Sequence, residues 1–281
     1  MTFQNCSTLT TVNIGNGCTS IGNYAFSRCS ALSNLIIPKN VNYIGESSFE
    51  NCSSLTNLEI PDNVTMVNNY AFVGCTNLSN VSIGKGCTNI LNGTFNNCTS
   101  LTTVTINSSL VEQEFNDTYN RLRNKFGEQV TTYNIGNINT KIGNYAFNSC
   151  SSLGTVNLPD TITSIGDYAF FSCSSLNIIN LPDTITSMGE FCFGYSGIEN
   201  LIIPNNLTII RQNCFNHCVN LTNVIIGNSV TTIETGAFQN CNNLINLTLN
   251  NELSTIGNSA FYSCSSLESL TIPNSVTTIG Q

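Results

Sequence analysis

NYAFSRCSAL, residues 23–32, returns almost unchanged as NYAFVGCTNL at 69–78, NYAFNSCSSL at 144–153 and NSAFYSCSSL at 258–267. Each copy sets a cysteine three residues after a phenylalanine and a leucine three residues after that. Outward from this decapeptide, Phe3, Phe26, Phe49, Phe72 and Phe95 stand 23 residues apart. Phe147, Phe170 and Phe193 resume the spacing, Phe215 follows after 22, and Phe238 and Phe261 return to 23. The 52 residues from Phe95 to Phe147 hold one regular repeat and one unit of 29. Eleven phenylalanines thus mark about twelve units across residues 1–281, a single array rather than a set of domains.

Within a unit the apolar positions are fixed. Leucine at six after the Phe (Leu9, Leu32, Leu55, Leu78, Leu101) is followed by apolar residues at nine and eleven. That period-two alternation predicts a short strand with one buried face. Pro38, Pro61, Pro159, Pro182, Pro204 and Pro273 follow these strands and end them, since proline cannot donate to a ladder. A second apolar pair comes next, such as Val41 with Ile44, and a glycine such as Gly22, Gly45 or Gly166 leads into the Ala-Phe segment, read as one helical turn. A single unit cannot bury this stripe alone. Stacked copies, about 4.7–4.9 Å apart, place each Phe, Cys and Leu on its equivalent and make one continuous core.

The units resemble the leucine-rich repeat class, and within it the BspA-like subfamily, whose pattern I-G-x-x-A-F-x-x-C-x-x-L-x-x-[VIL]-x-[IL]-P is met throughout by IGDYAFFSCSSLNIINLP at Ile165–Pro182. The resemblance covers nearly the whole chain and departs from the pattern at Ser196 and across the 29-residue unit. It implies a repeat solenoid, a right-handed superhelix with a parallel β-sheet face and short helical turns. It also implies a non-catalytic role in adhesion and protein binding, at the cell surface or secreted, with host or microbial surface proteins as partners. An intracellular scaffold built on the same solenoid, and so a cytoplasmic location, is the alternative.

Composition narrows the function classes. The chain is 41% hydrophobic with 9% charged residues, which excludes a disordered polyelectrolyte, and no apolar run approaches the ~18–20 residues of a membrane span. A net charge of −8 argues against nucleic acid and against an anionic membrane surface. Asparagine, about one residue in six, suits the corners of a solenoid. MTFQNCSTLT has neither the basic start nor the apolar centre of a secretory signal. The chain begins inside a repeat and stops at Gln281 before the next Ala-Phe, without polar caps. It therefore reads as a fragment of a longer protein whose signal or anchor lies elsewhere, with uncapped ends open to end-to-end self-association.

Ten of the fourteen cysteines occupy one rung: Cys6, Cys29, Cys52, Cys75, Cys98, Cys150, Cys173, Cys218, Cys241 and Cys264. Stacked rungs keep their Cβ vectors parallel, whereas a disulfide needs them to converge at ~3.8 Å, so buried free thiols are expected. Cys18, Cys87, Cys192 and Cys214 replace Val or Ala at other packed positions. Cys214, His217 and Cys218 are the best metal-ligand candidates, but three ligands, one already a rung, fall short of a structural zinc site. No metal or other cofactor is expected. His217 is the single histidine, no nucleophile turn lies near it, and the acids sit in turns such as Asp62, Asp160 and Asp183. No enzyme is expected. Twelve Asn-x-Ser/Thr sequons, among them Asn63, Asn77, Asn92, Asn206 and Asn246, could carry glycans only in a secreted eukaryotic protein, and Asn5, Asn51 and Asn97 abut the Cys rung.

Two surfaces are left for partners. The outward strand positions, eight and ten after each Phe, include Asn34, Ile36, Asn57, Ile178, Asn180, Asn200, Ile202, Asn223, Ile225 and Asn246. They read either as a neutral solvated sheet or as a binding face in which Ile178, Ile202 and Ile225 form an apolar strip among asparagines. The irregular unit, about 109–130, is the other. Ser109 and Glu112 form an S-x-x-E capping box, Phe115, Tyr119, Leu122 and Phe126 share one helix face, and Gly127 can end the helix. A helix of about four turns is expected there. It is either a tolerated insertion or a recognition knob carrying Arg121, Arg123 and Lys125.

Overall fold

The computed structural model describes residues 2–91, 93–115 and 121–281. The fold is a parallel-strand β-solenoid of about 11 turns with almost no helix. It divides into two compact units, one of residues 1–111 with 117–138, the other of 112–116 with 139–281.

Most coils contribute a front strand and a shorter rear strand. In unit 1 the front strands Thr11–Asn13 and Asn34–Ile36 pair in parallel, as do Asn57–Ile60, Asn80–Ile83 and Thr103–Ile106, each residue meeting its equivalent 23 positions on. Thr132–Ile135 joins Thr103–Ile106 at an offset of 29, so the irregular unit rejoins the register six residues late. Rear strands Ser20–Ile21, Tyr43–Ile44, Met66–Val67 and Asn89–Ile90 form a second parallel ladder. Unit 2 repeats the plan, with front strands Asn200–Ile202, Asn223–Ile225 and Asn246–Thr248 in register. Its rear strands are Lys141–Ile142, Ser164–Ile165 and Ser187–Met188, then Ile209–Ile210, Thr232–Ile233, Thr255–Ile256 and Thr278–Ile279.

The Ala-Phe segment is not helical. Two residues per coil take positive φ, the one before Ala and the second after Phe: Tyr24 (56°) and Arg28 (62°), Tyr145 (59°) and Ser149 (61°). Alternate N–H groups then point in different directions. Tyr24, Phe26 and Arg28 donate forward to Glu46, Ser48 and Glu50 of the next coil, whereas Ala25, Ser27 and Cys29 donate back to Gly22, Tyr24 and Phe26. This third ladder satisfies the buried backbone that a helical turn would have left facing the core. Gly74 (φ 73°) holds a left-handed position where a Cβ would run into the Asn51 amide.

Inside the coils the Phe rings stack with centroids 5.0–5.6 Å apart and planes within 9° in the regular repeats, an offset parallel geometry. Phe126 continues the column, 5.3 Å from Phe95. The irregular unit therefore has its own rung. The expected helix of about four turns does not form. Ser109–Glu112 is a 3-10 turn, residues 113–115 are not helical, and Leu122–Phe126 is a five-residue α-helix. Tyr119 lies outside the described residues, as does the sequon Asn92. Glu112 makes no capping box. Its Oε1 accepts instead from the backbone N–H groups of Thr140 and Lys141. Gly127 does end the helix, at φ 100° and ψ 162°, in a region open only to glycine.

Candidate functional site

The Cys rung is more than apolar filling. Cys52 Sγ donates to the Phe26 carbonyl of the preceding coil at 3.2 Å, and Cys75, Cys98, Cys173, Cys218, Cys241 and Cys264 repeat the contact at 3.1–3.4 Å. Ser196 occupies the rung where cysteine is lost, and its hydroxyl meets Cys218 Sγ at 3.3 Å. All fourteen cysteines are free thiols. Burial pushes the Cys52 and Cys218 thiols up to about 12 and Cys87 to about 11. These groups hold the proton they need for the ladder and are poor nucleophiles or metal ligands. Among the described residues no group of three His, Cys, Asp or Glu side chains is placed to hold a metal ion. Cys214 and Cys218 are buried, and His217 sits in a left-handed turn, stacked on Tyr195 at 4.4 Å with Nδ1 2.5 Å from Asn216 Oδ1.

The front strands present what the alternation demands, successive side chains turned inward and to solvent by turns. Leu35, Leu58, Leu201 and Val224 are buried, and Asn34, Ile36, Asn57, Asn200, Ile202 and Asn246 are exposed. Asn223 is half-buried because it lies in an amide ladder. Asn223 Nδ2 donates to Asn200 Oδ1 and Asn246 Nδ2 to Asn223 Oδ1, both at 2.6 Å. In unit 1 Asn80 does the same to Asn57 at 2.9 Å. Asn223 spends both amide donors, on Asn200 Oδ1 and on Thr222 Oγ1, so the ladder turns the Asn200 amide donors and the Asn246 Oδ1 acceptor toward solvent or a partner.

The isoleucines are arranged differently from the expected strip. Ile202 and Ile225 are paired in register, 66% and 50% exposed. Ile178 is exposed too, but the bond from Glu199 N–H to the Asn177 carbonyl sets it beside Asn200, so Asn180 falls in the Ile202 column. The residue lost after Ser196 shifts the numbering by one, and no strand forms at residues 177–181. In unit 1, Asn34, Asn57, Glu59, Asn80, Ser82 and Thr103 line a shallow trough of about 400 Å³ along its own front strands. Among all the outward strand positions Glu59 is the one charged residue.

The basic knob loses a member. Lys125 is buried, and its Nζ donates to the Ile90 carbonyl at 2.8 Å, because the loop folds over the rear ladder and the long side chain finds a backbone acceptor beneath it. Arg121 and Arg123 are half-buried, and Arg123 forms an ion pair with Glu128. Of the sequons, Asn63 and Asn206 spend Nδ2 on the carbonyls of Lys39 and Asp183, while Asn5, Asn51 and Asn97 are exposed despite adjoining the Cys rung.

The PD steps that sequence reads as turns have a further task. Asp62 and Asp183 accept the backbone N–H of Lys85 and Asn205 in the next coil, as Asn23, Asn144 and Asp167 do for Glu46, Asp167 and Glu190. Their recurrence at the repeat period was the available signal.

No curated protein matches the chain. Two solved structures superpose on it: a leucine-rich repeat protein from Eubacterium ventriosum, with a TM-score of 0.54 and 22% identity over 93% of this chain and 78% of that one. The other is a leucine-rich repeat protein from Bacteroides ovatus, with a TM-score of 0.52 and 24% identity over 99% of this chain and 76% of that one. At that identity they speak for the fold. The profile of the BspA type leucine rich repeat region matches residues 1–120, 126–242 and 189–281, in six copies. With nearly every residue inside those matches, the chain belongs to the BspA-type leucine-rich repeat family.

Proposed function

We propose that the chain is a non-catalytic protein-binding module that engages its partner through the front sheet face, on the surface of the cell. The observation that carries this reading is the exposed Ile202–Ile225 pair set beside the Asn200–Asn223–Asn246 amide ladder. Apolar side chains give such a face affinity, and the ends of the amide ladder, the Asn200 donors and the Asn246 acceptor, give it orientation. Open sheet faces are the surfaces solenoids use for partners, and repeated presentation suits a protein ligand better than a reaction centre. Belonging to the BspA-type family supports a surface role. The partner is a host or microbial surface protein with a neutral, polar-apolar epitope.

Capture from extracts of surface proteins tests it. The wild-type chain should retain a partner that the double variant Ile202→Asp, Ile225→Asp loses, with both proteins equally folded. Retention by that variant removes the front face from consideration. Labelling intact cells with a reagent that cannot cross membranes separates a surface protein from an intracellular scaffold.

A further inference from the structure

Six aromatic rings gather on the turn side of unit 2, away from its front strands. Tyr145, Tyr168 and Phe191 occupy the left-handed column before the Ala-Phe step and stack with centroids 4.9 and 5.0 Å apart. Tyr195 and His217 occupy the second left-handed column and stack at 4.4 Å. Phe171 joins the two columns edge-on, 5.5 Å from Tyr168 and 5.3 Å from Tyr195. It lies against Gly194, where any side chain would crowd its ring. Tyr195 is 45% exposed and the other five are half-buried, so the cluster meets solvent along its whole length.

The fold does not require these rings. The same columns hold Ser47, Ser259 and Asn213, or Asn51, Ser172 and Asn240, in other coils, and the backbone is unchanged there. Carboxylates border the cluster. Asp167 and Glu190 directly precede Tyr168 and Phe191, and with Asn144, Ser164 and Ser187 they line a polar groove of about 380 Å³. Lys141 in that groove is paired with Glu114 at 3.4 Å. Among the described residues Asp167, Glu190 and Arg211 have no ion-pair partner, which leaves the groove net negative. Burial, then Tyr145 and these two carboxylates, raise the Tyr168 hydroxyl above its ordinary value, which places their charge close to the rings.

We propose that this aromatic ladder with its carboxylate border is a second interaction surface, whose partner is a basic, Arg- or Lys-bearing segment of another protein. A guanidinium or ammonium is drawn to the exposed Tyr195 ring and to the Asp167 and Glu190 carboxylates that border the ladder. Aromatic anchors with a charged rim are the usual makeup of an interface centre. The net charge of −8 adds attraction for a basic segment at long range.

The test uses the full chain and fluorescent peptides of alternating Arg and Gly, with Asp-Gly peptides of equal length as the control, read by fluorescence anisotropy. The double variant Phe171→Gln, Tyr195→Ser copies Gln239 and Ser172 from the same columns, so thermal melting should be unchanged. It should bind the Arg peptide about tenfold more weakly, each tenfold being about 1.4 kcal/mol. Asp167→Asn with Glu190→Gln should weaken it similarly, since Asn keeps the Oδ1 acceptor used by the Glu190 N–H. Ile202→Asp should not affect it. Equal binding of the two peptides, absence of binding by the Arg peptide, or wild-type affinity in the aromatic variant each overturns the proposal.

Discussion

Why cysteine recurs at one rung is a question about a single hydrogen bond. A valine there would fill the space, but it could not donate to the Phe carbonyl one coil back, and that acceptor sits in the dry interior. The Phe and Leu columns were legible from the 23-residue spacing alone, because periodicity reports burial. The thiol's donor role was not, because it depends on the direction of a carbonyl set by two left-handed residues, which composition does not reveal. The same burial makes a prediction. Folded Cys52 ionises at about 12 and Cys264 at about 11, burial being the main cause, against 9.0 for an open thiol. The native chain keeps these protons and the unfolded chain sheds them, so the stability they confer is complete below pH 9 and declines as pH climbs toward the folded values. Melting temperature should hold steady up to roughly pH 8 and fall above it, the loss of unfolding stability steepening toward about 1.4 kcal/mol per thiol per pH unit once pH passes about 10. A flat profile to pH ~10.5 would mean the thiols ionise alike in both states. Below that onset, a thiol reagent should modify exposed Cys6 rapidly and Cys52, Cys173 and Cys241 only after unfolding.

At the scale of the element, the irregular unit shows where local pattern loses to long-range packing. Phe115, Leu122 and Phe126 have helical spacing, but the Phe126 ring belongs to the column that runs from Phe3 through Phe95, and Glu112 serves a coil 28 residues on. A helix long enough to satisfy the spacing would have pulled Phe126 out of the column, at the expense of an aromatic stack. Sequence identified the unit, its length and its stop at Gly127, and it could not identify which partner each side chain would take. Lys125 is the clearest case. Read on the surface it is a recognition residue, and in the fold it is a buried donor to the Ile90 carbonyl. Lys125→Ala should therefore lower unfolding stability by about 1–3 kcal/mol, measured by denaturant titration, because a buried hydrogen bond to a charged group is lost. A knob residue would instead leave stability unaltered and weaken a partner.

For the molecule as a whole, charge is segregated rather than scarce. The chain carries −8, yet the outward strand positions hold one charged residue, Glu59, and the unpaired carboxylates Asp167 and Glu190 lie on the turn side. Parallel coils make this possible, since a residue type repeated at one position becomes a column and each column can be written independently. Register within a column is readable from sequence even across the single residue missing after Ser196: Ile178, eight after Phe170, falls in the Asn200 and Asn223 column, and Ile202 and Ile225 hold the other outward position. The two surfaces should consequently differ in their response to salt. Exposed charges farther apart than about 10 Å are screened at 0.1 M, whereas apolar contacts and neutral amide hydrogen bonds are not. A partner held by Ile202, Ile225 and the asparagine ladder should keep its affinity within about twofold between roughly 0.05 and 0.5 M NaCl, and its association rate should change little. Binding of an Arg-Gly peptide at the aromatic ladder should weaken severalfold over the same range, mostly through slower association. Measuring both by surface plasmon resonance on one immobilised chain sets the surfaces against each other. A front-face partner that dissociates in salt would show that charges such as Glu59, rather than the isoleucine pair, hold it.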